Sequence, residues 1–286
     1  MKKTGKRLLA AMLLFCTILI GAAGYEVMAA DEAQSTESTS GTVNSADDLP
    51  GKRIGVQLGT TGDIYVSDYE SDGSGTVVER YNKGADAIQA LKQGKIDCVV
   101  IDEQPAIKFV EQNTGIRILD EEFTLEDYAF VVAKSNTELL DKVNSALEKL
   151  EADGTIANIQ KNYIGTADEI GKFPYESKDV SHENGTLTVG TNAEFPPYES
   201  YEDGQIVGID MDIMRAVSDE LGMELKIEDM AFDSIIPAIS TGKVDIGAAG
   251  FTVTEERKKN VNFTDTYTTS KQVIIVKDDT VTSEKA

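Results

Sequence analysis

Two kinds of apolar spacing alternate along this chain. Short apolar runs give way to stretches in which apolar residues recur every three or four positions, and then the runs return. The runs suit strands and the wider spacing suits one face of a helix, so the alternation predicts a parallel sheet with helices on its faces. The first strand is expected over 53–58, ending in the turn Gly59-Thr60-Thr61-Gly62. A helix precedes Gly94, a strand follows at 98–101, and another apolar strand covers 128–133. Thr137 can cap the next helix, where Leu139, Leu140, Val143, Leu147 and Leu150 share a face until Gly154. Ile156, Ile159, Tyr163 and Ile164 mark a shorter helix closed by Gly165. Residues 166–185 lose all periodicity and read as a linker. The pattern then restarts with a strand at 186–190, a loop at 191–198, a helix over 210–221 and a strand at 224–227. A helix at 235–240 and a last strand at 272–276 complete it.

Two stretches inside this alternation match each other. Residues 88–97 read I-Q-A-L-K-Q-G-K-I-D and residues 236–245 read I-P-A-I-S-T-G-K-V-D. Each is a helix end, a turn glycine and the entry to an apolar strand. A repeated strand-entry module implies two similar α/β lobes. Ligands of open α/β sheets bind beyond the carboxyl ends of strands. Five residues past the repeat's Asp stand Asp102 in one copy and Gly250 in the other, so the two copies would face each other across a cleft.

Charge and composition narrow the classes. The chain of 286 residues carries a net charge of −23, a surface that repels nucleic acid and anionic lipid. Residues 1–29 read as a secretory signal. Lys2, Lys3, Lys6 and Arg7 lead an apolar run over 8–24, and cleavage is expected after Ala29 or Ala30. The competing reading is an uncleaved anchor, for which that run is short. Phe15 stands before Cys16, where a lipoprotein signal needs a small residue, so lipidation is not expected. Past the signal only Cys98 remains, in an apolar strand, which leaves no internal disulfide and suits inert core. The one His, His182, lies in the linker, which removes His-based triads and His metal clusters. No cofactor or metal is called for.

Residues 185–199 (GTLTVGTNAEFPPYE) and 248–265 (AAGFTVTEERKKNVNFTD) resemble the polar-amino-acid solute-binding proteins of ABC importers, extracellular solute-binding protein family 3. Residues 51–62 (GKRIGVQLGTTG), 95–103 and 134–165 resemble the second lobe and closing helices of the same family. The resemblance implies an α/β, two-lobed, periplasmic-binding-protein-like (type II) fold. The order differs from the family's, because the second lobe comes first. The chain therefore resembles a circular permutant: signal 1–29, disordered tail 30–47, second lobe 48–126, first lobe 127–165 and 186–278, joined by the linker 166–185, and a polar tail 279–286. Permutation is tolerated where old ends lie close together in exposed segments. One covalent crossing near 125–128 is then expected in place of two. That would free the hinge and make lobe exchange into a homodimer available.

The resemblance also assigns ligand contacts. Arg257, behind the stretch Ala248-Ala249-Gly250-Phe251, matches the Arg that grips the ligand's α-carboxylate, for which its planar fork is suited. A surface ion pair with Glu255 or Glu256 is the alternative. Thr252 and the amides of Gly250 and Thr252 would complete that cradle, with Ala249 beside it. The turn holding Thr60 and Thr61 would cap the same carboxylate from the other lobe. Asp102, at a strand end, is the natural partner of the α-ammonium, or else an N-cap for the helix that follows. Phe195 and Phe232 resemble the aromatic pair around the ligand side chain, although Phe232 also sits among Met230 and Ile235 as core would. Asn192 stands where many family members carry Asp. Glu194 could restore a negative charge there, and Gln57 is a further polar contact.

Three functions compete. The first is a receptor that captures a polar or cationic L-amino acid and presents it to a membrane permease of an ABC importer. The second is an extracytoplasmic sensor or buffer without transport. The third is a dehydratase on the same fold, for which Glu194 is the candidate acid.

Overall fold

A computed structural model describes residues 42–121 and 124–278. The expected signal, most of the expected tail and residues 279–286 lie outside the described residues.

One nine-stranded sheet carries the fold, in the order β10-β6-β11-β5-β12-β3-β1-β2, with β4 also on β12. At one end β1 (Arg53–Gln57) lies parallel between β2 (Val77–Tyr81) and β3 (Cys98–Asp102). At the other end β6 (Thr186–Thr191) lies parallel between β10 (Glu224–Asp229) and β11 (Ile246–Gly247). All five residues of β3 are buried, as a central parallel strand covered on both faces requires.

The repeat seen in sequence is a repeat in structure. Asp97 donates its amide to Arg53 O and accepts from Arg53 N at Oδ2, both at 2.8 Å. Asp245 makes the same pair of bonds with Thr188 O and Thr188 N, again at 2.8 Å. Each Asp thus staples the strand it introduces to the first strand of its own wing. Gly94 and Gly242 both turn with φ +72°, a left-handed conformation that favours glycine.

Between the wings run two long antiparallel strands, β5 (Thr124–Ala133) and β12 (Val261–Lys277). The far end of β5 pairs with β11, and Gln272–Val276 of β12 pair with β3. The passage between wings is therefore double, which corrects the expectation of a single crossing. The placement of all residues up to 278 in the first lobe fails with it. The reason is pairing: β12 satisfies its backbone on β5 at one end and on β3 and β4 (Ile116–Ile118) at the other.

Helices cover both faces. The helix α6 (Ile209–Leu221) is buried over most of its circumference, because α4 (Thr137–Ala152) and α5 (Thr155–Ile164) pack on its outer side. The helices α2 (Gly84–Lys92) and α3 (Glu103–Gln112) flank the other wing, bringing Leu91 and Phe109 into the core. A separate cluster joins Ile54, Val66, Val100 and Ile274, and it includes Val43 at 3% exposure. The tail expected to be disordered through residue 47 is thus ordered from 42 onward. Val43 is anchored in that core, and Asp48 accepts the Ser45 amide in a short 3-10 turn. The linker has no helix or strand, yet it is docked: Tyr175 Oη and the Lys178 amide both donate to Asp219 of α6, at 2.7 and 2.8 Å. No helix among the described residues is long and apolar enough to cross a membrane.

Candidate functional site

The parallel strands of both wings end at one place. From β1 and the turn behind it come Gln57, Thr60 and Thr61; from β3 comes Asp102; the opposite wing supplies Asn192, Ala249, Gly250 and Thr252. Phe195 of β7 (Glu194–Phe195), Phe232 at the start of α7 (Phe232–Ser240) and Arg257 of α8 (Glu255–Lys258) complete the lining. These side chains meet closely, leaving a narrow cleft whose non-atom space, its opening to solvent included, is about 280 Å³. Its position beyond the carboxyl ends of the strands is the one that parallel α/β sheets reserve for ligands.

Arg257 is 6% exposed. Nη1 donates to Thr252 O at 2.9 Å, and Nη2 donates to Gly59 O on the opposite wing at 3.0 Å. The guanidinium lies 5.4 Å from the ring centroids of both Phe232 and Phe251. Burial lowers its pKa, while the charges of Glu126 and Asp102 act the other way. The expected alternative partners are engaged elsewhere, Glu255 with Lys258 and Glu256 with Lys259. Among the described residues no carboxylate forms an ion pair with Arg257. A buried guanidinium in that condition is costly unless an anion joins it.

Asp102 is the last residue of β3 and precedes α3, but its side chain does not cap the helix. Its Oδ1 instead accepts from Tyr128 Oη. Burial, and next the negative charge of Glu126, raise its pKa to about 7. An ammonium beside it would supply the missing counter-charge.

Glu126 of β5 is 4% exposed, and its Oε2 collects three donors: Thr252 Oγ1 at 2.7 Å, Thr61 Oγ1 at 2.9 Å and Gln272 Nε2 at 3.2 Å. None of Glu126, Tyr128 or Gln272 was singled out from sequence. The available signal was a charged residue leading straight into the apolar strand at 128–133.

At the other end of the cleft Gln57 Nε2 donates to Asn192 Oδ1 at 2.8 Å across the wings, while Asn192 Nδ2 donates to Met230 O at 2.9 Å. Phe195 stacks on Tyr198 and Phe232 on Phe251, with centroids 5.8 and 4.7 Å apart. Thr60 Oγ1 donates to Gln57 O at 2.8 Å and accepts from Asp63 N, capping α1 (Thr61–Ser67).

Two expected roles change. Glu194 does not line the cleft: β7 pairs with β8 (Glu199–Glu202), and the carboxylate meets Lys83 of the other wing at 2.5 Å, at a partly exposed rim. The Gly250 amide is not free for an anion, because it donates to the buried Asp210 Oδ2 at 2.9 Å. Asp210, held by that amide and by Tyr267 Oη, has its pKa raised by burial to about 7. No group of three or more metal-ligating side chains occurs among the described residues.

The chain is similar to an arginine-binding protein of Corynebacterium glutamicum, 44% identical over 29% of this chain and 28% of the relative. It is also similar to an L-cystine-binding protein of Escherichia coli, 30% identical over 47% of this chain and 50% of the relative. The chain thus spans half or less of the length of these relatives. Domain 1 of TmArgBP in its arginine-bound form is 41% identical, over 34% of this chain and 84% of that one, with a TM-score of 0.29. A model of the bacterial extracellular solute-binding proteins, family 3, matches residues 74–166 and 187–283. With both wings of its sheet inside those matches or beside them, the chain belongs to the bacterial extracellular solute-binding proteins, family 3.

Proposed function

We propose that the protein captures a free L-amino acid with a cationic side chain between its two lobes and delivers it to the permease of an ABC importer. The observation that carries this reading is the buried Arg257, which reaches both wings yet has no carboxylate partner among the described residues, in a cleft that also holds buried Asp102. Arg257 and the Thr61 and Thr252 hydroxyls receive the α-carboxylate, and Asp102 receives the α-ammonium. The side chain lies between Phe195 and Phe232 and ends at Asn192 and Gln57. A cationic side chain suits the acids at the site: Asp102 lines the cleft, and Glu126 lies behind the Thr61 and Thr252 hydroxyls that line it. The arginine-binding relative supports the same class.

The permuted lobe order belongs to this proposal. The aperiodic linker 166–185 coincides with the interval between the two matched segments, and it is docked on α6 rather than loose. A cleaved signal at 1–29 places the protein outside the cytoplasm, as the family's description has it. The dehydratase reading loses its candidate acid, since Glu194 faces Lys83 at the rim.

A thermal-shift screen of residues 30–286 against the twenty L-amino acids tests the reading. Ligand at a hundred times its Kd stabilises a folded receptor by about 2.7 kcal/mol. Shifts with L-arginine, L-lysine or L-histidine are expected, and no shift with any amino acid would sink the proposal.

A further inference from the structure

We propose that Glu126 is an affinity-setting residue that competes with the ligand's carboxylate for the Thr61 and Thr252 hydroxyls. The inference rests on the amino-acid reading above and adds a competitor built into the receptor.

The argument starts from proton counting. A threonine hydroxyl has one hydrogen to donate. Thr61 and Thr252 come from opposite wings, both line the cleft, and both spend that hydrogen on the same oxygen, Glu126 Oε2. Thr61 Oγ1 also accepts from Gln272 Nε2 at 3.1 Å, which fixes the direction of its donation. The Tyr65 phenol of α1 faces the same carboxylate. Glu126 Oε2 is therefore surrounded as a ligand's carboxylate oxygen would be, directly behind the two threonines that line the cleft.

An arriving carboxylate seated on Arg257 needs those two hydroxyl hydrogens. Taking them leaves Glu126 Oε2 with Gln272 as its remaining side-chain donor among the three, and sets a second anion beside it. A buried acceptor that loses its donors is costly, more so when it is charged. Glu126 thus lowers the affinity for any ligand bearing a carboxylate. It does the opposite for a cation without one, which leaves the donors on Glu126 and gains its negative charge. Because Thr61 and Thr252 belong to different wings, the same contacts join the wings through Glu126.

The test is a binding cycle with two probes, L-arginine and agmatine, the same cation lacking the carboxylate, each titrated into the unaltered protein and into Glu126→Gln. The substitution is expected to tighten L-arginine about tenfold and to weaken agmatine, so the preference for L-arginine over agmatine rises by about thirtyfold or more. A purely structural role would weaken both probes together and leave that preference unchanged within threefold, which would overturn the proposal. Should Glu126→Gln fail to fold, Glu126→Asp keeps the charge and shortens its reach. It is expected to move the preference in the same direction by a smaller factor, and an unchanged preference there overturns the proposal too. If the unaltered protein binds none of L-arginine, L-lysine and L-histidine, the amino-acid reading and this one fall together. If it binds L-arginine and the preference stays fixed, only this one falls.

Discussion

Gln57 and Asn192 touch across the cleft, Nε2 to Oδ1 at 2.8 Å, and each is held from behind by a backbone carbonyl, Asn82 O for Gln57 and Met230 O for Asn192. The two amides close the side-chain end of the site with one hydrogen bond between the wings. Both can re-orient to accept as well as donate. Replacing Asn192 by Asp puts a formal negative charge there while keeping the Gln57 contact. Asn192→Asp should raise the ratio of L-arginine to L-glutamine affinity by about tenfold, as one added charge-assisted bond would give. Competition titrations with the two amino acids measure it.

Arg257 is expected to be indispensable. Truncating one partner of a buried charge pair costs about 2–5 kcal/mol, so Arg257→Ala should weaken amino-acid binding by about thirtyfold or more. Arg257→Lys should not restore it, because a single ammonium cannot bond Thr252 O, Gly59 O and a ligand carboxylate in one plane. Calorimetric titration of both variants, beside melts showing a cooperative fold, decides the matter.

The raised pKa of Asp102 sets a pH dependence for the empty protein. Its folded pKa of about 7 lies above the unfolded value near 3.8, so the folded state holds a proton that the unfolded state has released. Its contribution is full below about pH 4 and is lost as pH rises to 7, at up to about 1.4 kcal/mol per unit. The stability advantage of Asp102→Asn over the unaltered protein should therefore grow between pH 4 and 7 and level off above. Denaturant melts without ligand at several pH values measure it, and a pH-independent difference would show that Asp102 is ionised throughout.

The Lys83–Glu194 pair at the rim should matter little. Its side chains are 50% and 30% exposed, and exposed pairs contribute about 0–1 kcal/mol. Glu194→Gln is expected to leave the amino-acid Kd within about threefold and to reduce its salt dependence. A large loss would return Glu194 to the ligand.

Gly250 has no room for a side chain. Its φ is +56°, and an added Cβ would stand 2.9 Å from Phe195 Cε1 and 3.1 Å from Tyr128 Cε2. Gly250→Ala should cost about 1–3 kcal/mol of stability through strain and overpacking. It should also weaken binding by pushing Phe195 into the cleft, and melts with and without ligand separate the two effects.

The strand ends were legible in sequence because each wing repeats one local device, a turn glycine and a stapling Asp ahead of an apolar strand. Eleven of the residues expected at the site, most of them assigned by the family resemblance, line one cleft. The second crossing strand, β12, was legible only at its end. Over its seventeen residues β12 passes from one wing to the other, and its middle mixes buried Thr264, Tyr267 and Ser270 with exposed Asp265, Thr266 and Thr269. Only the stretch of Val273–Val276, buried against β3, reads as a strand by hydrophobicity. Glu126, Tyr128 and Gln272 stand on the two crossing strands behind the lining residues, where nothing in their spacing marks them as partners of Thr61, Thr252 and Asp102. Glu194 misled because spacing from Asn192 says nothing of the β7–β8 hairpin that turns it to the rim.

Val43, near the first described residue, and Val276, near the last, share a core cluster with Ile54 and Val100, and the Asp278 amide is bonded to Gly115 O at 2.9 Å. The described residues therefore begin and end on the same wing. A tether joined to the described residues at 42 or at 278 would take hold of the wing that carries Thr61 and Asp102. The wing that carries Arg257 would then be the moving jaw.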